Sequence, residues 1–126
     1  MDALPVLDPI ALERLRSLAD AVARPGEDVL GHLVQIFVED SDARLQVLEK
    51  ACTDGETAAG ARAAHNIKGA AANMGALRVV AAAVVVERAC RASPPALLIL
   101  GSAVETLGRE LKDAVVALRR SFALRE

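Results

Sequence analysis

The sequence predicts an all-α protein, an up-and-down antiparallel four-helix bundle with an additional short N-terminal helix. Apolar residues recur at steps of three and four through most of the chain, which is the period of one helix face. Pro, Gly and Asp signals divide this pattern into five segments joined by short loops, and short loops place consecutive helices antiparallel. The 126 residues fit a single domain, 1–126, with the bundle formed by the last four helices.

The first helix is predicted over about 9–23. Asp8 can accept hydrogen bonds from the free N–H groups of a helix start, and Pro9 has the backbone angle of a first helical turn. The Arg-Pro-Gly run at 24–26 ends this helix. Its sparse apolar face is predicted to consist of Ile10, Leu15, Leu18 and Val22.

The second and third helices are predicted over about 28–53 and 56–74. Asp28 opens the second helix, the Asp-Gly pair at 54–55 ends it, and Gly75 ends the third with left-handed backbone geometry. The second helix has one apolar face along about six turns, formed by Leu30, Leu33, Val34, Phe37, Ser41, Leu45, Leu48 and Cys52. The interior face of the third helix is predicted as Ala64, Ile67, Ala71 and Met74.

The fourth and fifth helices are predicted over about 77–91 and 94–120. The Val-rich centre of the fourth would also suit a buried strand, but the surrounding helical period favours a helix, with Ala76, Val79, Ala83, Val86 and Cys90 inside. The Ser93-Pro94 pair repeats the cap-and-proline start of the first helix. The buried face of the fifth is predicted as Leu97, Leu100, Val104, Leu107, Leu111, Ala114 and Leu118.

Composition argues against several classes of protein. A net charge of −2 and only two aromatic residues, both Phe, give neither a basic field nor a stacking platform, so nucleic acid is not an expected partner. The longest apolar run, 79–86, is far shorter than the about 20 residues of a membrane span, and the N-terminus lacks signal-peptide features. We therefore expect a cytoplasmic protein that does not bind a membrane.

Cys52 and Cys90 form no CxxC pair, and neither histidine has metal-ligand spacing with a cysteine or a carboxylate cluster, so no metal site is expected.

His65 lies on the face of the third helix that carries almost no bulky side chains. On a helical wheel with 100° per residue, six residues fall within about 60° of it, namely Ala58, Ala61, Arg62, Lys68, Gly69 and Ala72. An exposed imidazole between two cations and several very small residues can be approached closely by another protein. Gly69 costs helix stability on the order of 1 kcal/mol against Ala, which suggests that steric clearance is required there.

The run from His65 to Gly69, His-Asn-Ile-Lys-Gly, resembles the HxxKG signature of histidine phosphotransfer domains. The resemblance extends to the 30–52 stretch, which looks like the second helix of that family, to the turn at 54–55, and to the Leu-Asp-Pro opening at 7–9, so that nearly the whole chain is covered. Many members have serine after the glycine, whereas this chain has Ala70 and Ala71, which keep the small size and lose a hydroxyl.

The resemblance implies a phosphoryl carrier, with His65 as the nucleophile and temporary acceptor. A neutral imidazole can attack phosphorus without a separate base, and Lys68, one turn away, would offset charge on the phosphoryl oxygens. The family often places Gln or Glu on the next helix facing the histidine, and Glu87 matches by position. Glu87 would then fix the imidazole tautomer, although a solvated surface charge is an equally simple interpretation. Arg62 would assist Lys68 or contact a partner, together with Ala61, Gly69 and Ala72.

The implied partners are receiver domains of response regulators, with a hybrid sensor kinase as a further candidate. The chain has no Gly-rich phosphate loop, kinase lysine motif or aspartate cluster for magnesium, so we expect a carrier without kinase activity of its own. The receiver is expected to supply the phospho-aspartate and the Mg²⁺, and the chain itself needs no cofactor. We expect a monomer.

Two other functions are compatible with a helical bundle. A non-catalytic adaptor would bind a signalling partner through the His65 face and would acquire no phosphoryl group. A metal-binding bundle enzyme would need several inward carboxylates and histidines on facing helices, whereas this sequence has two histidines and no Glu-x-x-His motif.

Overall fold

A computed structural model describes residues 4–123, so the two ends of the predicted 1–126 domain lie outside the described residues. Between them are five helices, α1 (Pro9–Val22), α2 (Val29–Thr53), α3 (Thr57–Asn73), α4 (Leu77–Arg91) and α5 (Leu97–Ser121). Residues 4–123 contain no strand, which confirms the all-α prediction, including the helical state of the Val-rich α4. No helix in this range is long and apolar enough to cross a membrane.

Helices α2 to α5 form a closed bundle in which each helix packs on its neighbour and α5 returns to α2. The short connections make successive helices antiparallel. Fully buried side chains from all four helices fill the centre, the largest being Leu48, Ile67, Leu107, Leu118, Val34, Val79 and Val86. All of these residues lie on the faces predicted from the apolar period.

Helices α3 and α4 make the most extensive helix contact among the described residues, and small residues contribute much of their buried surface. On α3 the buried residues include Gly60, Ala61 and Ala64, and on α4 they include Ala83. Small side chains at a helix contact let two backbones approach closely. Polar side chains at the rim of this interface can therefore reach across from one helix to the other.

Helix α1 lies against the end of the bundle where α3 turns into α4 and where α5 finishes. The Asp8 N–H donates to the Gly75 carbonyl at 2.8 Å, and the Leu77 N–H donates to the Val6 carbonyl at 3.1 Å. The Arg16 guanidinium donates to the Ser121 carbonyl and lies 5.2 Å from the centre of the Phe122 ring. These contacts connect α1 and the segment before it to the α3–α4 turn and to the end of α5.

The predicted apolar face of α1 is wrong. Ile10, Leu18 and Val22 are exposed and Leu15 is half-buried, whereas Ala19 is buried. Because α1 contacts only the end of the bundle, a narrow inward stripe is sufficient. That stripe is formed by Leu12, Leu15 and Ala19.

The predicted start of α5 is also wrong. The helix begins at Leu97 after Ala96 rather than at the Ser93-Pro94 pair. Pro95 is the physical reason, because a proline disfavours helical angles in the residue before it, and that residue is Pro94. Leu97 is 61% exposed and lies outside the buried face, while the other six predicted residues of that face are buried.

Gly75 and Gly55 offer a matched test of how α1 docks. Both have left-handed backbones, with φ of 69° and 74°, but a Cβ on Gly75 would lie 2.7 Å from the Ala11 Cβ, and a Cβ on Gly55 would meet nothing within 4 Å. Gly55→Ala should lower the free energy of unfolding by about 1 kcal/mol, the cost of a left-handed alanine. Gly75→Ala should lower it further, since α1 must also shift. Urea unfolding followed by circular dichroism measures both, and equal losses would contradict this packing of α1.

Candidate functional site

His65 lies in the middle of α3 and points away from the core. Its neighbours Ala64 and Ile67 are fully buried, so the helix is held firmly against the bundle beneath it. The His65 side chain is 59% exposed. The imidazole is therefore accessible to a second protein while its backbone is fixed by packing.

Glu87 on α4 faces His65 across the small-residue interface. Its Oε2 lies 3.2 Å from Nδ1 of the imidazole, and its side chain is only 13% exposed. The structure thus brings the carboxylate into contact with the histidine, and the interpretation of Glu87 as an isolated solvated charge is excluded. The neighbouring residue Val86 is fully buried, which places Glu87 at the edge of the core.

Two cations complete the cluster around Glu87. The Lys68 Nζ donates to Glu87 Oε1 at 2.8 Å, and the Arg91 Nε donates to Glu87 Oε2 at 3.1 Å. Sequence reasoning did not identify Arg91. Its position four residues after Glu87 on the same helix was the available signal, because residues at that spacing are neighbours on a helix surface.

The two cations keep Glu87 ionised. The hydrogen bond from Lys68 is the largest influence and lowers the pKa of the Glu87 carboxyl; partial burial raises it, and the Arg91 hydrogen bond and the nearby positive charges lower it again, so that the net pKa is below the usual value. An ionised carboxylate can only accept hydrogen bonds. In the neutral imidazole of His65, Nδ1 must therefore carry the proton, and Nε2 holds the free lone pair.

The surface beside His65 is open on one side. Arg62, Gly69 and Ala72 are exposed, as predicted from the wheel. A Cβ added at Gly69 would meet nothing within 4 Å. No part of the bundle therefore fills the space beside the imidazole on this side.

The assignment of Ala61 to the accessible surface is wrong, because Ala61 is fully buried. Ala61 and Lys68 lie on the same side of His65 around the helix, at about 40° and 60°. Since Lys68 contacts Glu87, that side faces α4. The short Ala61 side chain therefore ends inside the α3–α4 interface, whereas the longer Lys68 side chain reaches the edge of that interface.

The two cysteines are free thiols near the far end of α4. Cys90 is buried and Cys52 is half-buried, and each thiol influences the pKa of the other. Burial raises the pKa of both thiols. Among residues 4–123 no group of three His, Cys, Asp or Glu side chains is placed to hold a metal ion.

Comparison with known proteins agrees with this geometry. The Hpt domain family model matches residues 32–121, which is more than two thirds of the chain. The crystal structure of histidine-containing phosphotransfer protein B (HptB) from Pseudomonas aeruginosa PAO1 is similar, with a TM-score of 0.80 and 25% sequence identity over 94% of this chain and 96% of that one. A comparison with curated proteins gave no match. The chain therefore belongs to the Hpt domain family, the histidine phosphotransfer domains of two-component phosphorelays.

Proposed function

We propose that this chain accepts a phosphoryl group on Nε2 of His65 from a phospho-aspartyl receiver domain and passes it to a second receiver. The observation that carries the proposal is that the two ring nitrogens of His65 have different environments. Nδ1 is engaged by Glu87 at 3.2 Å, and the half-exposed ring leaves Nε2 for an incoming phosphoryl group. A nucleophile oriented by a second residue is the arrangement that covalent catalysis requires.

The transfer requires no proton movement at the attacking atom. The Nε2 lone pair forms the N–P bond, and the P–O bond to the aspartyl carboxylate breaks with its electron pair remaining on the carboxylate. The imidazole gains positive charge, which Glu87 Oε2 stabilises through the Nδ1–H. Onward transfer reverses these steps, because a carboxylate oxygen of the second receiver attacks phosphorus and the N–P electron pair returns to Nε2.

Lys68 is the cation placed to act on the phosphoryl group. Its side chain is largely covered and its Nζ is shared with Glu87, within one turn of His65. Phosphoryl transfer is governed mainly by positioning and by neutralisation of charge on the phosphoryl oxygens. Lys68 would supply part of that neutralisation, and Arg62 is a weaker contributor from the opposite side of the imidazole.

The receiver is proposed to dock on the open surface formed by Arg62, Gly69 and Ala72. A receiver must bring its phospho-aspartate within about 3–3.5 Å of Nε2, which demands close approach of two backbones. The receiver also holds the Mg²⁺ that neutralises phosphoryl charge on its side. The chain acts as a cytoplasmic, monomeric carrier without kinase activity of its own, and a hybrid sensor kinase is a further candidate partner.

His65→Gln should abolish phosphoryl acceptance and leave the melting temperature nearly unchanged, because surface substitutions usually shift stability by under about 0.5 kcal/mol. The measurement is incubation with a receiver domain phosphorylated by acetyl phosphate, followed by detection of acid-labile, alkali-stable label. His32→Gln is the matched control, since His32 is exposed in the first turn of α2. Loss of label in the His32 variant with retention in the His65 variant would overturn the assignment, and no label in the wild type with any receiver that binds would favour an adaptor.

Lys68→Ala should slow transfer more than it weakens receiver binding, because its contact is with charge that matters most during transfer. Single-turnover rates at saturating receiver separate the two effects. Lys112→Ala removes the same charge from an exposed position on α5 and should change neither quantity. A Lys68→Ala variant with an unchanged rate and weaker binding would instead place Lys68 in the docking interface.

Gly69→Ala should stabilise the bundle by several tenths of a kcal/mol, because alanine loses less backbone entropy in a helix and the added Cβ meets open space. Gly69→Leu should also fold, but its side chain would occupy the space beside His65 that the receiver needs, and transfer should fall steeply. Thermal melting and transfer rate are measured on both variants together. Full transfer by a folded Gly69→Leu variant would show that the receiver docks elsewhere.

A further inference from the structure

Glu87 is shared by three donors, and the sharing is unequal. Within residues 4–123, Oε1 accepts from Lys68 alone, at 2.8 Å. Oε2 accepts from both His65 Nδ1 and the Arg91 Nε, at 3.2 Å and 3.1 Å. Arg91 therefore contacts the same oxygen that orients the imidazole, whereas Lys68 contacts the other one.

The proposed role of Lys68 creates a requirement at Glu87. When Lys68 turns to the phosphoryl oxygens, it gives up some or all of its hydrogen bond to Oε1, and Glu87 loses the donor that most strongly favours its ionised form. At that moment the imidazole is acquiring positive charge and most needs a fixed carboxylate at Nδ1. A second cation that is not drawn to the phosphoryl group would meet this requirement.

We propose that Arg91 is a positioning residue for phosphoryl transfer, which holds Glu87 Oε2 against His65 Nδ1 while Lys68 exchanges Glu87 for the transferred phosphoryl group. The proposal rests on the proposed function, in which His65 is the acceptor. Arg91 acts through Glu87 and does not touch phosphorus.

The position of Arg91 suits this role. Arg91 and Glu87 are one turn apart on α4, so their contact needs no adjustment between helices and survives small movements of α3. Lys68, by contrast, reaches Glu87 from α3, the helix that carries His65. The Arg91 side chain is more than half exposed, so we expect an effect of about two- to fivefold on rate rather than complete loss.

The resting tautomer of His65 provides a test that is independent of any receiver. ¹⁵N NMR distinguishes Nδ1–H from Nε2–H imidazole, and the chain has only two histidines, so a His32→Gln background leaves the His65 signals alone. With the His65 imidazole deprotonated, Lys68→Ala should retain the Nδ1–H form because Arg91 still holds Glu87. The Lys68→Ala/Arg91→Ala double variant should lose this preference, and Lys68→Ala/Arg91→Lys should recover part of it.

Arg88→Ala is the matched control. Arg88 is an exposed cation in the same last turn of α4, and among the described contacts it makes none with Glu87. Lys68→Ala/Arg88→Ala should keep the Nδ1–H form. The proposal is overturned if the Arg91 double variant retains the wild-type tautomer, or if Lys68→Ala alone already loses it.

Phosphorylation by phosphoramidate, a small donor that releases ammonia when imidazole nitrogen attacks its phosphorus, measures the same effect on rate. Arg91→Ala should be slower than wild type by about two- to fivefold and Arg88→Ala should match wild type. Equal rates for the two arginine variants would overturn the role of Arg91 without affecting the proposed function. Continued labelling of His65→Gln in the His32→Gln background would instead overturn the proposed function itself.

Discussion

The close packing of α3 against α4 is the constraint on which the site depends. Most buried residues of α3 are glycine or alanine, including Gly60 and Ala64, and α4 contributes the buried Ala83. Because the two backbones are close, the short reach of a glutamate is sufficient for Glu87 to contact a histidine on the neighbouring helix. Bulkier residues in this layer would separate the helices and remove that contact, even if the bundle still formed.

Charged side chains at the rim of the same interface determine the electrostatic environment of His65. Glu87 is largely covered, and the cations Lys68 and Arg91 offset the cost of holding its charge there. The resulting carboxylate determines which nitrogen of His65 carries the proton. In the proposed function, this one partly covered carboxylate sets both the orientation and the reactivity of an imidazole that is otherwise exposed.

Periodicity was sufficient to predict the five helices and the buried faces of α2 to α5, because those faces repeat over many turns. It failed for α1, which contacts only the end of the bundle, and where the position of a neighbouring helix must be known. The wheel placed Ala61 close to His65 but gave no information on the side from which α4 approaches, so a buried residue was assigned to the surface. The sequence did not reveal Arg91, because its role depends on where Glu87 points. The Ser93-Pro94 pair resembles a helix start, but Pro95 disfavours helical angles at Pro94, so α5 begins at Leu97.

The most direct test of this account is the position of phosphorus on His65. The geometry predicts phosphorylation at Nε2, since Nδ1 is hydrogen-bonded to a carboxylate that cannot donate a proton. NMR of ¹⁵N-labelled protein after phosphorylation by a receiver domain identifies the nitrogen that is coupled to ³¹P. Coupling to Nε2 of His65 is the expected result, and coupling to Nδ1, or to any nitrogen of His32, would contradict the account.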